Sequence, residues 1–213
     1  MPKVSVVSIA KRERELDQLK KALRKQTYKN FEFVFSTKRG IPNAWNDAIG
    51  RAKGDIIIIT ESDCLPLNNK WLEEMVRAIK KTDKKTLIRG VEIQPTPWCW
   101  SNIGCHASVL KDNPLDECYP VGEDTELFAR LKKKGYKNIE LPIAPVIHFK
   151  KYKGFSRTVK DYYTYGILLS KIRRKYGFVG FEKSTDKSSF LKKELTIIFS
   201  RISYIIGIIR GMI

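Results

Sequence analysis

Apolar and polar positions along the first 93 residues alternate between two periods. Lys3–Ile9 (KVSVVSI) and Asp55–Thr60 (DIIIIT) are short runs rich in β-branched residues, apolar enough for strands buried on both faces. Phe31–Phe35 and Thr86–Ile93 read as two further strands. Between them, Glu13–Gln26 places Leu16, Leu19 and Leu23 at helical spacing. Ala44–Ala52 suits a second helix with Pro42 near its first turn, and Trp71–Lys80 a third. A βαβαβαβ order predicts a mostly parallel sheet with helices on both faces, a three-layer α/β/α domain.

Residues 94–122 break this rhythm. They hold four of the nine prolines and three of the four cysteines, and are expected to form a loop-rich excursion around a short helix. Glu123–Lys134 then reads as a helix with Leu127, Phe128 and Leu131 on one face and Gly135 as its stop. Strands near Ile139–Leu141 and Pro145–Phe149 would complete the core. Beyond residue 150 the pattern is helical, in two pieces split around Gly177–Ser188, which divides the chain into an α/β domain (1–150) and a basic helical extension (151–213).

Composition narrows the classes. With 42% hydrophobic and 11% aromatic residues the chain can bury a core, which excludes wholesale disorder. The formal net charge is +18, and it is uneven: residues 131–213 carry 19 Lys+Arg against 5 Asp+Glu. An acidic partner is therefore expected mainly at the C-terminal part, with nucleic acid, an anionic membrane and phosphate-bearing substrates all compatible with charge alone. No N-terminal stretch has the apolar core of a secretory signal, so a cytoplasmic, reducing location is expected. Cys64, Cys99, Cys105 and Cys118 lack a CxxC pair, against a structural zinc site; free thiols are the expectation and a Cys105–Cys118 disulfide the alternative.

Ligands of open α/β sheets bind beyond the carboxyl ends of the strands. The strand DIIIIT runs directly into Glu61-Ser62-Asp63. Two carboxylates there are costly unless they meet a cation, and a hard divalent metal bridging phosphates is one occupant; capping the helix near Asn68 is the structural alternative. A second acidic group, Gly122-Glu123-Asp124-Thr125-Glu126, crowds a helix start, where the dipole alone favours negative charge and where a carboxylate is also placed to act as a general base.

In order and spacing these residues resemble a family 2 glycosyltransferase of the GT-A (nucleotide-diphospho-sugar transferase-like) fold. The likeness is carried by Val4–Ile9, Gln26–Glu32, Gly40-Ile41-Pro42-Asn43-Ala44-Trp45-Asn46-Asp47-Ala48-Ile49, Ala52–Ile56 and Glu61-Ser62-Asp63 in the place of the metal motif. It continues through Leu115-Asp116-Glu117, Gly122-Glu123-Asp124, the helix Glu126–Tyr136, His148, Tyr165-Gly166 and Lys175-Tyr176-Gly177. The resemblance implies a mixed, mostly parallel sheet and an inverting transfer of one sugar, with Mn²⁺ or Mg²⁺ on the donor diphosphate. Asp63 would be the main metal ligand, Glu61 a supporting one and His148 a further contact. Asp124 would be the general base and Glu123 an aid to acceptor placement, with Arg130 reaching phosphate, bracing Asp124 or forming a helix-face salt bridge. The implied donor pocket takes Ser8, Ser36, Lys38, Arg39, Asn46, Glu61, Ser62 and Asp63.

Two departures fall on base recognition. The family's Asp-rich turn after the second strand is here Phe35-Ser36-Thr37-Lys38-Arg39, and its Arg before the helix Asn is Trp45. No Gln-x-x-Arg-Trp follows the Asp124 helix, so non-processive transfer is expected. The tail Leu195–Ile213 is apolar but interrupted by Arg201 and Arg210, and reads as an interfacial helix with a basic flank rather than a spanning one; packing on the core or a homodimer contact is the alternative. The expected partners are a nucleotide-sugar, a lipid-linked or glycan acceptor and an anionic membrane surface met by residues 171–213, at the inner face of the cell membrane. No nucleic-acid partner is expected; the competing functions are an inactive GT-A adaptor and a basic nucleic-acid-binding protein.

Overall fold

The structure is a computed structural model and describes residues 4–93, 100–149 and 155–177. Its strands and helices follow in the order β1 (Val4–Ile9), α1 (Asp17–Arg24), β2 (Phe31–Ser36), α2 (Ile41–Arg51), β3 (Ile56–Ile59), β4 (Cys64–Pro66), α3 (Trp71–Ile79), β5 (Thr86–Arg89) and β6 (Glu92–Ile93). Then come β7 (Ile103–His106), α4 (Ala107–Lys111), α5 (Glu123–Lys133), β8 (Lys137–Glu140), β9 (Val146–His148) and α6 (Phe155–Tyr176). A short 3₁₀ turn, Glu13–Leu16, occupies the start of the first expected helix. The tail Leu195–Ile213, the expected break over Gly177–Ser188 apart from Gly177, and Cys99 lie outside the described residues.

Six strands form the main sheet in the order β2-β1-β3-β7-β5-β8. The pairs β2–β1, β1–β3 and β5–β8 are parallel; β7 runs antiparallel to both β3 and β5. The sheet is thus mixed and mostly parallel, as the resemblance implies. The isoleucine run explains the layering. Ile57 and Ile59 meet α2, α4 and α5 through Trp45, Ile49, Leu110 and Leu127, while Ile56 and Ile58 meet α1 and α3 through Leu19, Leu72, Met75 and Ile79. A strand covered on both faces has no polar side to show, hence four consecutive Ile. Gly104 on β7 makes room for α3, since a Cβ there would lie 2.5 Å from Ile79 Cδ1.

The structure corrects three expectations. The segment after residue 94 supplies a central strand, β7, whose short Ile-Gly-Cys-His sequence has no alternation to reveal it. The single strand expected over Thr86–Ile93 is cut at Gly90 into β5 and β6, which belong to different sheets. The strand expected near Pro145–Phe149 does not extend the core sheet; β9 instead joins β4 and β6 in a second sheet of order β4-β9-β6. The junction is held by buried Asn102, in the left-handed region at φ 55°. Its amide donates to Val91 O (3.0 Å) and Ala144 O (2.9 Å) and accepts from Trp71 Nε1 (2.8 Å). Finally, Cys105 is buried in β7 and Cys118 is exposed, and both are free thiols, so the disulfide alternative is excluded.

Candidate active site

Because β7 reverses direction between β3 and β5, those two strands run the same way. Ile59 and Arg89, both opposite Ile103, end on the sheet edge reached by Ile9 and Ser36. The chain leaves β3 through Thr60, whose hydroxyl donates to Cys64 O at 3.2 Å, and Cys64 N–H closes onto Glu61 O at 3.1 Å. Glu61, Ser62 and Asp63 form the turn so defined. The return strand β4 pairs antiparallel with β9, putting Cys64 opposite His148, and Phe149 N–H donates to Asp63 O at 2.8 Å. His148 is thereby locked beside the acidic turn although it lies 85 residues further along the chain.

His148 Nε2 lies 3.4 Å from Glu61 Oε2 and 3.3 Å from Asp63 Oδ1, while Nδ1 lies 2.6 Å from Glu92 Oε1. The imidazole is buried, with 3% of its side chain exposed, whereas Asp63 is 46% exposed, so the cluster is closed behind and open in front. Three carboxylates gather around one imidazole, an arrangement that a cation stabilises. Two carboxylate oxygens and one imidazole nitrogen, with an open face for phosphate or water, suit a hard divalent ion of the Mn²⁺ or Mg²⁺ kind. The residues present therefore fit such an ion.

The second acidic group starts α5. Gly122 precedes it in the left-handed region at φ 78°, with the Tyr165 ring so close that an added Cβ would lie 3.1 Å from Cε2. Only glycine meets both demands. Glu123 and Asp124 are buried. Burial raises the Asp124 carboxyl above its ordinary range, against the lowering effect of hydrogen bonds from Thr125 and of the Arg89 charge. Thr125 N–H (2.6 Å) and Oγ1 (3.3 Å) both donate to Asp124 Oδ1, and Thr125 Oγ1 in turn shares a 2.9 Å hydrogen bond with Tyr165 OH. Burial, then the Asp124 charge, pushes Glu123 up to about 8, and the Glu61 charge adds to the rise. The acidic turn and the α5 start therefore face one another electrostatically.

The other expected site residues differ in their surroundings. The Asn46 amide is taken up by Leu115, donating to its carbonyl at 2.9 Å and accepting its N–H at 2.8 Å. Lys38 lies 2.7 Å from Asp47, and its hydrogen bond, followed by that of Ser36, holds the Asp47 carboxyl down at about 2. Ser8 is fully buried on β1 with an unpartnered hydroxyl, Arg39 is exposed, and Ser62 is half-buried in the acidic turn. Arg130 neither braces Asp124 nor stands open to phosphate: it grips buried Glu126 at 3.0 Å and donates to Pro114 O at 2.7 Å. Asp47 brings an acid from α2 to the turn after β2, where the chain itself has none.

Glu92 and Arg89 were not singled out by sequence. The available signal for Glu92 was an acid between two β-branched apolar residues, Val91 and Ile93; for Arg89 it was only its place at a strand end.

Residues 11–102 match the sequence model of glycosyl transferase family 2. The mannosyltransferase PcManGT from Pyrobaculum calidifontis, solved with GDP-Man and Mn²⁺, has a similar structure: TM-score 0.66, 14% identity, 95% of this chain and 74% of that one covered. S. aureus TarS 1–349 with UDP-GlcNAc aligns at TM-score 0.56 and 13% identity, over 83% of this chain and 68% of that one. TarS 1–349 by itself aligns at TM-score 0.56 and 15% identity, over 96% and 80%. At these identities the likeness is one of fold. No curated protein matches the chain in sequence.

Proposed function

We propose that this chain, whose residues 11–102 match the glycosyl transferase family 2 model and whose fold is that of GT-A enzymes, transfers one sugar from a nucleotide-sugar to a hydroxyl acceptor with inversion. Glycosyltransferase activity is what family and fold support together; the mechanism, ion and acceptor are our reading. The observation that carries it is the convergence of Glu61, Asp63 and His148 on one ion-sized point at the turn after β3, with the Glu61 charge reaching Glu123 at the start of α5.

Glu61, Asp63 and His148 would hold Mn²⁺ or Mg²⁺. Such an ion offsets charge on a departing diphosphate. Asp124 accepts the acceptor's hydroxyl proton as that oxygen attacks the anomeric carbon opposite the leaving group, which inverts the configuration. A sugar hydroxyl is a poor nucleophile, and a positioned base contributes roughly 10²–10⁴ in rate. Two adjacent buried acids cannot both ionise cheaply, so in this reading Glu123 and Asp124 share one proton, which can donate to the acceptor while the remaining carboxylate receives the hydroxyl proton.

GDP-Man and UDP-GlcNAc are bound by the two similar structures, which supports a nucleoside-diphosphate sugar as the donor class here. Lys38 and Arg39 border its base and ribose in this reading, with Asp47 as the acid of that turn and Ser8 and Ser36 buried in the strands beneath. The acceptor is a lipid-linked or membrane-proximal glycan at the inner face of the membrane, reached through the basic end of α6, and transfer is non-processive. The test is calorimetry with UDP, GDP, ADP, CMP and dTDP, each with and without Mn²⁺. A Mn²⁺-dependent hit lost in Asp63→Ala is expected; the absence of any hit overturns the donor site.

A further inference from the structure

His148 has two ring nitrogens in two different settings, and the distances separate their roles. Two atoms sharing one ion at ~2.0–2.2 Å stand roughly 2.9–3.5 Å apart at octahedral or tetrahedral angles. The 3.3 and 3.4 Å separations from Nε2 to Asp63 and Glu61 lie inside that range. The 2.6 Å separation from Nδ1 to Glu92 Oε1 lies well below it and is that of a charge-assisted hydrogen bond. An ion seated among Cys64, Glu92 and His148, the other such grouping among the described residues, would have to force Nδ1 and Glu92 apart.

We propose that Glu92 is the positioning residue of this centre: it accepts Nδ1–H and so fixes the His148 tautomer and ring plane that aim the Nε2 lone pair at the ion. The inference rests on the reading of Glu61, Asp63 and His148 as a metal site. Glu92 is itself held. Its side chain is only 9% exposed, and its other oxygen, Oε2, accepts from Ser101 Oγ at 3.2 Å. Its backbone is fixed by the parallel pairing of β6 with β9, in which Glu92 lies opposite Val146, two residues before His148. The small second sheet thus acts as the ring's mount. β4 presents the acidic turn, β9 the imidazole, and β6 the carboxylate that orients it. Ser101, Glu92 and His148 form a relay from the interior to the ion, and outer partners of this kind tune both ligand orientation and basicity.

The experiment titrates Mn²⁺ alone into the full chain and reads free ion by electron paramagnetic resonance, for wild type, Asp63→Ala, Glu92→Gln and Glu92→Ala. Binding lost in Asp63→Ala, about 10-fold weaker in Glu92→Gln and roughly 10–100-fold weaker in Glu92→Ala is expected. ¹⁵N shifts of neutral His148 in the metal-free full chain at alkaline pH supply a readout that a merely structural role would not move: Nδ1 protonated and Nε2 unprotonated in wild type, and a mixture in Glu92→Ala. Wild-type Mn²⁺ affinity and an unmixed tautomer in both Glu92 variants overturn this inference alone. Wild-type affinity in Asp63→Ala, or no Mn²⁺ binding by wild type, overturns the metal reading and the inference with it. The isosteric Glu92→Gln keeps the test decisive if Glu92→Ala does not fold.

Discussion

Tyr176 donates a 2.6 Å hydrogen bond to Glu126 across fifty residues of chain, joining the last turn of α6 to the first turns of α5. Arg130 grips the same carboxylate, which is fully buried. Leu168 and Ile172 of α6 pack with Ala129 of α5 and Tyr119 beside this latch, and Tyr165 reaches Thr125 about three helical turns of α6 before Tyr176. The helix that carries Glu123 and Asp124 is therefore fastened from behind at two points.

Breaking this latch is expected to cost stability. Arg130→Met leaves a buried carboxylate without its ion-pair partner and should destabilise by about 3–5 kcal/mol. Tyr176→Phe, which removes one hydrogen bond to a charged group, should cost roughly 1.5–3 kcal/mol. Midpoints and slopes of urea unfolding measure both. Equal, negligible losses would mean that α6 is not fastened through Glu126.

Asp124→Asn should lower transfer by roughly 10²–10⁴-fold, the worth of a positioned base, while nucleotide binding stays near wild type. The amide keeps the size of the carboxyl and can still accept from Thr125, so α5 need not move. Turnover with saturating donor and calorimetric donor affinity separate the two effects. Loss of both together would assign Asp124 a structural role.

Glu123 ties stability to pH. An unfolded Glu123 releases its proton near its ordinary value of 4.5, whereas the folded chain keeps it up to about 8. Between those values the folded state binds the extra proton, so this group's contribution is full below the lower value and is lost as pH rises through the higher one. Each unit of such a difference is worth ~1.4 kcal/mol. Glu123→Gln should therefore raise the melting temperature of the metal-free protein relative to wild type at pH 8, with the gain shrinking toward pH 4. A constant gain, or none, across that range would place the raised carboxyl elsewhere.

The layered core was legible because its cause is local: a four-isoleucine strand, and Leu16, Leu19 and Leu23 at helical spacing, each state which faces are covered. The acidic turn and the α5 acids were legible because carboxylates at strand and helix ends stand out against apolar neighbours. β7 was not, since a four-residue strand holding a Gly has no period and draws its stability from partners on both sides. Nor was the pairing of His148 with Glu92, which depends on the register of a second sheet assembled from three distant segments. Asn46 shows the opposite failure: its place in a motif pointed to ligand binding, while its amide cross-links α2 to Leu115.

Membrane docking makes the last prediction. Among the described residues no helix is long and apolar enough to cross a membrane. Lys171, Arg174 and Lys175 are exposed at the end of α6, immediately before the segment that leads to the apolar tail. A Lys or Arg close to an anionic leaflet is worth ~1 kcal/mol, so reversing these three should weaken vesicle binding by at least 10²-fold at low salt. The effect should fade as salt shortens the Debye length to a few ångströms. Deleting residues 195–213 removes the apolar contribution instead, and should release the protein from vesicles of anionic lipid at every salt concentration. Sedimentation with phosphatidylglycerol vesicles measures both. Unchanged sedimentation of the truncated chain would assign the tail to the protein's own surface or to a second copy.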